Sequence, residues 1–211
     1  MYYNDYSLQL LYEKAKTNKA IICGGGKQVI KIDKNQTVYS NTTFKFEGFM
    51  YYKDYQYDYD YQRFIYNKNF LKRYKLYFPR YLRYQDPPFF IKTMATAKKF
   101  YMIKTVTSVF RKTSQKVFSL KQVIDIFYGI NDCLRLEEKL HLYKLYNITL
   151  NRLNMKYLLK EIKKYSDNMI LKDVILKVIA SINQKIIIKN DLNFVIDDFY
   201  KNITKINIIK F

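Results

Sequence analysis

The chain has 211 residues, with 38 Lys and Arg against 18 Asp and Glu, for a formal net charge of +20. That length makes one domain or two small ones, and a hydrophobic fraction of 49% excludes wholesale disorder. So large a charge on a compact chain repels itself unless a polyanion compensates it. Nucleic acid or an anionic membrane is therefore the first partner to consider, ahead of a small neutral substrate of a solvent-facing enzyme.

The opening MYYNDYSLQLLYEKAK has no apolar core of a signal peptide and is not the acid-free, Arg- and Ser-rich start of a transit peptide. The 23 Tyr, 15 Phe and abundant Lys, Asn and Ile, with 5 Gly, 3 Pro and no Trp, are what AT-rich codons encode. A protein of this kind that works in an organelle is expected to be made there. Cys23-Gly24-Gly25-Gly26-Lys27 lacks the spacing of a phosphate loop, and Gln28 stands where a Mg-binding hydroxyl would be, so a glycine-rich surface turn is expected. QVIKIDKNQTVYS and TTFKFEGFMYY alternate apolar and polar residues around turn-forming Asp33, Lys34, Asn35 and Asn41, which predicts short antiparallel strands. YYKDYQYDYDYQ alternates Tyr with Asp and reads as an extended edge or a loop docked on a basic neighbour.

Charge is distributed unevenly. Residues 1–61 carry 8 basic and 7 acidic side chains, residues 62–116 carry 14 and 1, and residues 117–211 carry 16 and 10. The middle segment therefore holds a net +13, with its cations interleaved among aromatic residues. That pattern suits RNA, because cations neutralise phosphates and release counterions while rings stack on unpaired bases. For any single tyrosine, core packing is the more ordinary use. Within the segment, Pro87-Pro88 predicts a helix break and a linker or turn.

From Ser119 the period becomes helical. Leu120, Val123, Ile124 and Phe127 recur at helical spacing behind a Ser119/Gln122 capping box, and Tyr128-Gly129-Ile130-Asn131 is expected to end that helix. Asp132 would cap a second helix closing near Asn147, a third would span about 151–165, and a fourth after Asn168 would bury Leu171, Val174, Ile175, Val178 and Ile182.

This order resembles the S-thirteen family of small-subunit ribosomal proteins. VFSLKQVIDIFYGINDCLRLEEKLHLYKLYNI is similar to the family's first helix, its Y-G-[IV]-G hairpin at Tyr128-Gly129-Ile130, a second helix and a second turn at Asn147-Ile148. NRLNMKYLLKEIKKY and ILKDVILKVIASINQK resemble its third and fourth helices, so the likeness covers about residues 117–190. Asn131 replaces the second hairpin glycine, and KNDLNFVIDDFYKNITKINIIKF replaces the family's glycine- and arginine-rich tail. The family's tRNA contact through that tail is not carried over.

The resemblance, taken with the strand and charge patterns of the first 116 residues, gives the expectation of an α+β chain with a mainly α-helical C-terminal helix-two-turn-helix domain behind an extended, partly β N-terminal extension. Its parts would be an extension at 1–61, a basic RNA-binding segment at 62–116, the helical domain at 117–190 and a divergent tail at 191–211. The expected RNA-binding residues of the basic segment are Arg63, Lys72, Arg73, Lys75, Arg80, Arg83, Lys98, Lys99, Arg111, Lys112 and Lys116. At the hairpin they are Gly129 and Asn131, whose backbone could approach a phosphate at a helix N-terminus, with Lys121, Arg135 and Lys139 beside them.

The expected role is a structural constituent of the mitochondrial small ribosomal subunit, in the matrix. Its partners would be small-subunit rRNA in the head, an S-nineteen-like neighbour and large-subunit bridge components. Neither a metal nor a cofactor is expected: Cys23 and Cys133 match no zinc spacing, and His141 has no ligand constellation. No enzyme is expected either, since Glu137-Glu138 and Asp197-Asp198 are adjacent residues that point apart on a helix. The alternative is an accessory subunit of an organellar membrane complex, against which stands the lack of an uncharged run of about 18 apolar residues.

Overall fold

In the computed structural model, which describes residues 3–33, 36–112, 117–206 and 208, the chain is a mixed α/β fold. A helical domain behind an extended, partly β extension is not what forms. The chain divides into two compact units, Met1–Tyr77 with Lys92–Lys116, and Phe78–Ile91 with Val117–Phe211.

The first unit contains helix α1 (Ser7–Thr17), strands β1 (Ile22–Asp33), β2 (Gln36–Thr42) and β3 (Gly48–Tyr51), the short α2 (Tyr52–Tyr55), β4 (Phe64–Tyr66) and α3 (Lys68–Arg73). Helix α4 (Asp86–Ala97) then leads into β5 (Lys99–Lys112). The strands form one mixed sheet in the order β2-β1-β5-β3, with β4 paired to the start of β1. β1 and β5 run parallel, Val29 opposite Phe110, and the other pairings are antiparallel. β5 reads KFYMIKTVTSVFRK, rich in the β-branched and aromatic residues that suit a pleated, half-buried surface. Phe100, Met102 and Ile103 are buried along it, and α1 adds Leu11 to a cluster with Cys23 and Ile103. The basic segment is thus largely sheet and helix.

One local expectation fails here for a steric reason. Gly24, Gly25 and Gly26 lie buried inside β1, not in a surface turn. A Cβ at Gly24 would stand 2.2 Å from the Phe64 ring, and one at Gly25 would stand 2.3 Å from Thr107 Oγ1, so β4 and β5 close on a strand that has no side chains there. The β1–β5 register shifts between Gly24 and Gly26, as at a bulge. Of the two readings of YYKDYQYDYDYQ, an extended edge or a loop docked on a basic neighbour, the second is the nearer: α2 and a 3-10 turn at Tyr61–Arg63 form, and Asp60 is held 2.6 Å from Lys27 Nζ. The strands expected on either side of Asn35 do form; Lys34 and Asn35 themselves lie outside the described residues. Pro87-Pro88 opens α4 instead of breaking a helix, since the first helical turn needs no proline N–H.

The second unit is built from α5 (Leu120–Lys139), α6 (Tyr143–Leu153), α7 (Lys156–Lys164), α8 (Met169–Ala180), α9 (Gln184–Lys189) and α10 (Asn193–Lys205). The expected capping box forms: Gln122 N donates to Ser119 Oγ and Ser119 N donates to Gln122 Oε1 at 3.0 Å. The expected stop at Tyr128-Gly129 does not. Ile124, Phe127, Ile130, Cys133 and Leu134 keep one face of α5 buried straight through Gly129. Each such burial contributes about 1.5–3 kcal/mol, against about 1 kcal/mol lost by a mid-helix glycine. The helix ends at His141, in the left-handed conformation (φ 55°), where Leu142 N donates to Glu137 O at 2.8 Å.

The predicted second helix, from Asp132 to about Asn147, is divided between the end of α5 and the start of α6, and the predicted third, about 151–165, forms as α7 only from Lys156, after a break at Asn154-Met155. α8 forms behind an Asn168 cap, and Leu171, Val174, Ile175, Val178 and Ile182 are all buried. α9 buries Ile186 and Ile187, and the expected divergent tail contains α10, which buries Val195, Ile196, Phe199 and Ile203. Phe78–Ile91 belongs to this unit. Buried Asp125 accepts from Leu82 N at 2.9 Å and from Lys121 Nζ, and buried Arg152 donates to Tyr84 Oη at 2.8 Å.

Candidate nucleic-acid interface

Arg63 leaves the set of expected RNA contacts. It is buried, its Nη2 donates to Tyr55 Oη at 2.7 Å, and its guanidinium lies 4.3 Å from the Phe44 ring centre. A cation used this way supports an aromatic core and does not reach a phosphate. Tyr55 sits in the same cluster, and burial pushes its hydroxyl up to about 12 although Arg63 opposes the shift.

The cations from Lys68 to Arg111 face solvent. Lys72 and Arg73 occupy the last turn of α3, and Lys75 follows it in the left-handed conformation (φ 50°). Cations at a helix C-terminus also answer its partial negative charge. Lys98, left-handed (φ 65°), follows α4, and Lys99 opens β5 with its Nζ 4.4 Å from the exposed Phe49 ring. Arg111 is exposed near the end of β5; Lys112 belongs to the same strand, and Lys116 lies outside the described residues. Tyr74 and Tyr77 are exposed within the same stretch of chain. Rings beside cations in this way can stack on unpaired bases while the cations hold phosphates.

In the second unit, Arg80 and Arg83 are exposed, with the Arg83 guanidinium 5.2 Å from the Phe118 ring. Lys121 is bound to Asp125. Gly129 is a correction: it lies in the middle of α5, buried against Tyr84, so no hairpin presents backbone N–H groups there. Asn131 and Arg135, one helical turn apart, line a cleft of about 370 Å3 together with Tyr128 and, from α8, Lys177. Lys139 is exposed in the last turn of α5. Tyr128 is stacked on Tyr81, whose hydroxyl donates to Asp132 at 2.7 Å; burial and that carboxylate raise the Tyr81 pKa.

Tyr128 and Lys177 were not among the expected contacts. Lys177 falls off the apolar stripe of α8, which was the available signal, and it is now bound to Asp173 at 2.7 Å.

The acid pairs serve structure or solvent. Glu137 is buried and accepts from Thr149 Oγ1 at 2.7 Å, Glu138 accepts from Asn183 Nδ2 at 2.6 Å, and Asp197 and Asp198 are exposed. His141 is exposed beside Tyr143. Among the described residues, no group of three or more His, Cys, Asp or Glu side chains is placed to hold a metal ion, and no helix is long and apolar enough to cross a membrane. Comparison with protein-family models, curated proteins and solved structures finds no match for this chain.

Proposed function

We propose that this chain is a non-catalytic RNA-binding protein, a structural constituent of the mitochondrial small ribosomal subunit. The observation that supports this most is the exposure of every described Lys and Arg from Lys68 to Arg111, in a segment whose single carboxylate is Asp86. Those cations neutralise rRNA phosphates and release counterions, and the folded units act as spacers between RNA and neighbouring ribosomal proteins. Contacts are thereby distributed over many weak points, and binding falls steeply with salt.

The likeness to the S-thirteen family now rests on the helical pattern of residues 117–190 without its hairpin, because α5 continues through Tyr128-Gly129. A place in the subunit head, and contacts with an S-nineteen-like protein and bridge components, belong to that part of the proposal. Gradient sedimentation of mitochondrial lysate at low salt tests the assignment, with release by rising salt as the signature of phosphate contacts. The protein should travel with small-subunit particles; recovery with membranes alone, released by detergent and not by salt, would sink it in favour of a membrane-complex subunit.

A further inference from the structure

The first unit has a second basic surface that charge counting along the chain does not reveal. A cleft of about 500 Å3 opens where the C-terminal end of α1 meets the entry to α3. That volume lies within the roughly 300–1,000 Å3 of small-ligand sites. Its floor is apolar and aromatic, with Ile65 and Tyr66, Tyr12 and Ile21 stand more exposed beside them, and its lysines are Lys16, Lys19 and Lys68. All three lysines are exposed, and the lining contains no carboxylate.

The backbone fixes this arrangement from both sides. After α1 the chain turns sharply at Lys19, left-handed at φ 51°, with Ala20 N donating to Ala15 O at 2.8 Å. Asn67 N then donates to Ile21 O at 2.9 Å, and the Asn67 side chain accepts from Phe70 N to cap α3. Tyr66 is anchored by its hydroxyl, which donates to Tyr61 O at 2.9 Å, so its ring is held as part of the floor. Tyr12 is 59% exposed at the edge, a ring with a face available to a ligand.

We propose that this cleft takes one unpaired nucleotide of an RNA strand, its base on the Tyr12 and Tyr66 side and its phosphates among Lys16, Lys19 and Lys68. Rings offer stacking that any base can use, and three cations without a lining carboxylate answer a phosphodiester. Duplex RNA cannot enter, because its bases are already stacked and paired. The inference rests on the RNA-binding reading and adds a site outside the segment that reading relied on.

The test uses the full chain, a fluorescent nine-residue oligouridylate and a duplex RNA of equal length, in anisotropy titrations at fixed salt. Tyr12→Ala and a Lys16→Ala, Lys19→Ala, Lys68→Ala variant should each weaken single-strand binding at least fivefold and leave duplex binding within twofold. All four side chains are exposed, and unchanged circular dichroism and melting temperature will show that the variants fold. With 4-thiouridine in the oligonucleotide, the crosslinked peptide should contain Tyr12 or Tyr66.

Unchanged single-strand affinity in both variants, with wild-type binding intact, would overturn the cleft and leave the RNA reading standing. A wild-type protein that binds neither RNA, or binds anionic phosphatidylserine vesicles in their place, would overturn both.

Discussion

Tyr84 lies directly against Gly129: a Cβ at that glycine would stand 2.6 Å from the tyrosine Cδ1 and 2.8 Å from its carbonyl oxygen. The glycine is therefore required by contact between α5 and the buried Tyr84 of the Phe78–Ile91 segment, and Arg152 fixes that tyrosine from the other end of its ring.

Replacing Gly129 with Ala has two opposed effects. Helix propensity alone would add about 1 kcal/mol, while overpacking a closed contact costs about 1–3 kcal/mol. Because one of the obstructing atoms is backbone oxygen, the steric term wins, and Gly129→Ala should lose about 1 kcal/mol or more in urea denaturation. A variant more stable than wild type would show that Tyr84 moves aside easily.

Arg63 and the α3 cations should separate cleanly. Arg63→Met leaves Tyr55 without its donor and removes a charged hydrogen bond worth about 1.5–3 kcal/mol, so it should lower stability by that order. Changing Lys72, Arg73 and Lys75 together to Ala should cost less than about 1 kcal/mol, the scale of helix-terminus charge effects. The same triple variant should flatten the salt dependence of single-strand RNA affinity by about 2 in log–log slope, at about 0.7 per lost phosphate contact. Equal stability losses in the two variants would place Lys72, Arg73 and Lys75 in the core with Arg63.

Alkaline pH should weaken the first unit. Burial pushes the Cys23 thiol from 9.0 up to about 12, with Glu47 adding and Lys14 opposing, and it pushes the Tyr55 hydroxyl from 10.0 up to about 12. Above pH 9 the unfolded chain therefore releases protons that the folded chain keeps. The stability these groups contribute is complete below pH 9 and is lost as pH rises towards 12. Urea midpoints measured at pH 8, 10 and 11 should fall in that order, and Tyr55→Phe should make the fall shallower. A flat profile to pH 11 would contradict the burial of both groups.

What could be read from the sequence was what depends on near neighbours. The Ser119/Gln122 box, the start of a helix after Asn168, the apolar stripe of α8 and the strands around Asn35 are all decided within about a dozen residues, and all form. What could not be read depends on distant partners. Gly129 looked like a turn because Tyr84 is far from it in sequence, and Gly24-Gly25 looked like a surface loop because Phe64 and Thr107 close over them from β4 and β5.

The same holds at the candidate site. Arg63 and Arg73 both neighbour aromatics in the chain, and nothing local distinguishes them. Phe44 and Tyr55 draw Arg63 inside, while Arg73 rests by Tyr74 on the surface. The Lys16, Lys19 and Lys68 cleft escaped notice for the opposite reason, since two of its lysines belong to a stretch of nearly neutral net charge.

Ultraviolet crosslinking of intact mitochondrial ribosomal small subunits, followed by mass spectrometry of RNA-linked peptides from this chain, tests the central claim most directly. RNA binding through the exposed cations predicts rRNA adducts on peptides between Lys68 and Arg111. Particles that contain no such protein, or a protein present without any RNA-linked peptide from that segment, would contradict it.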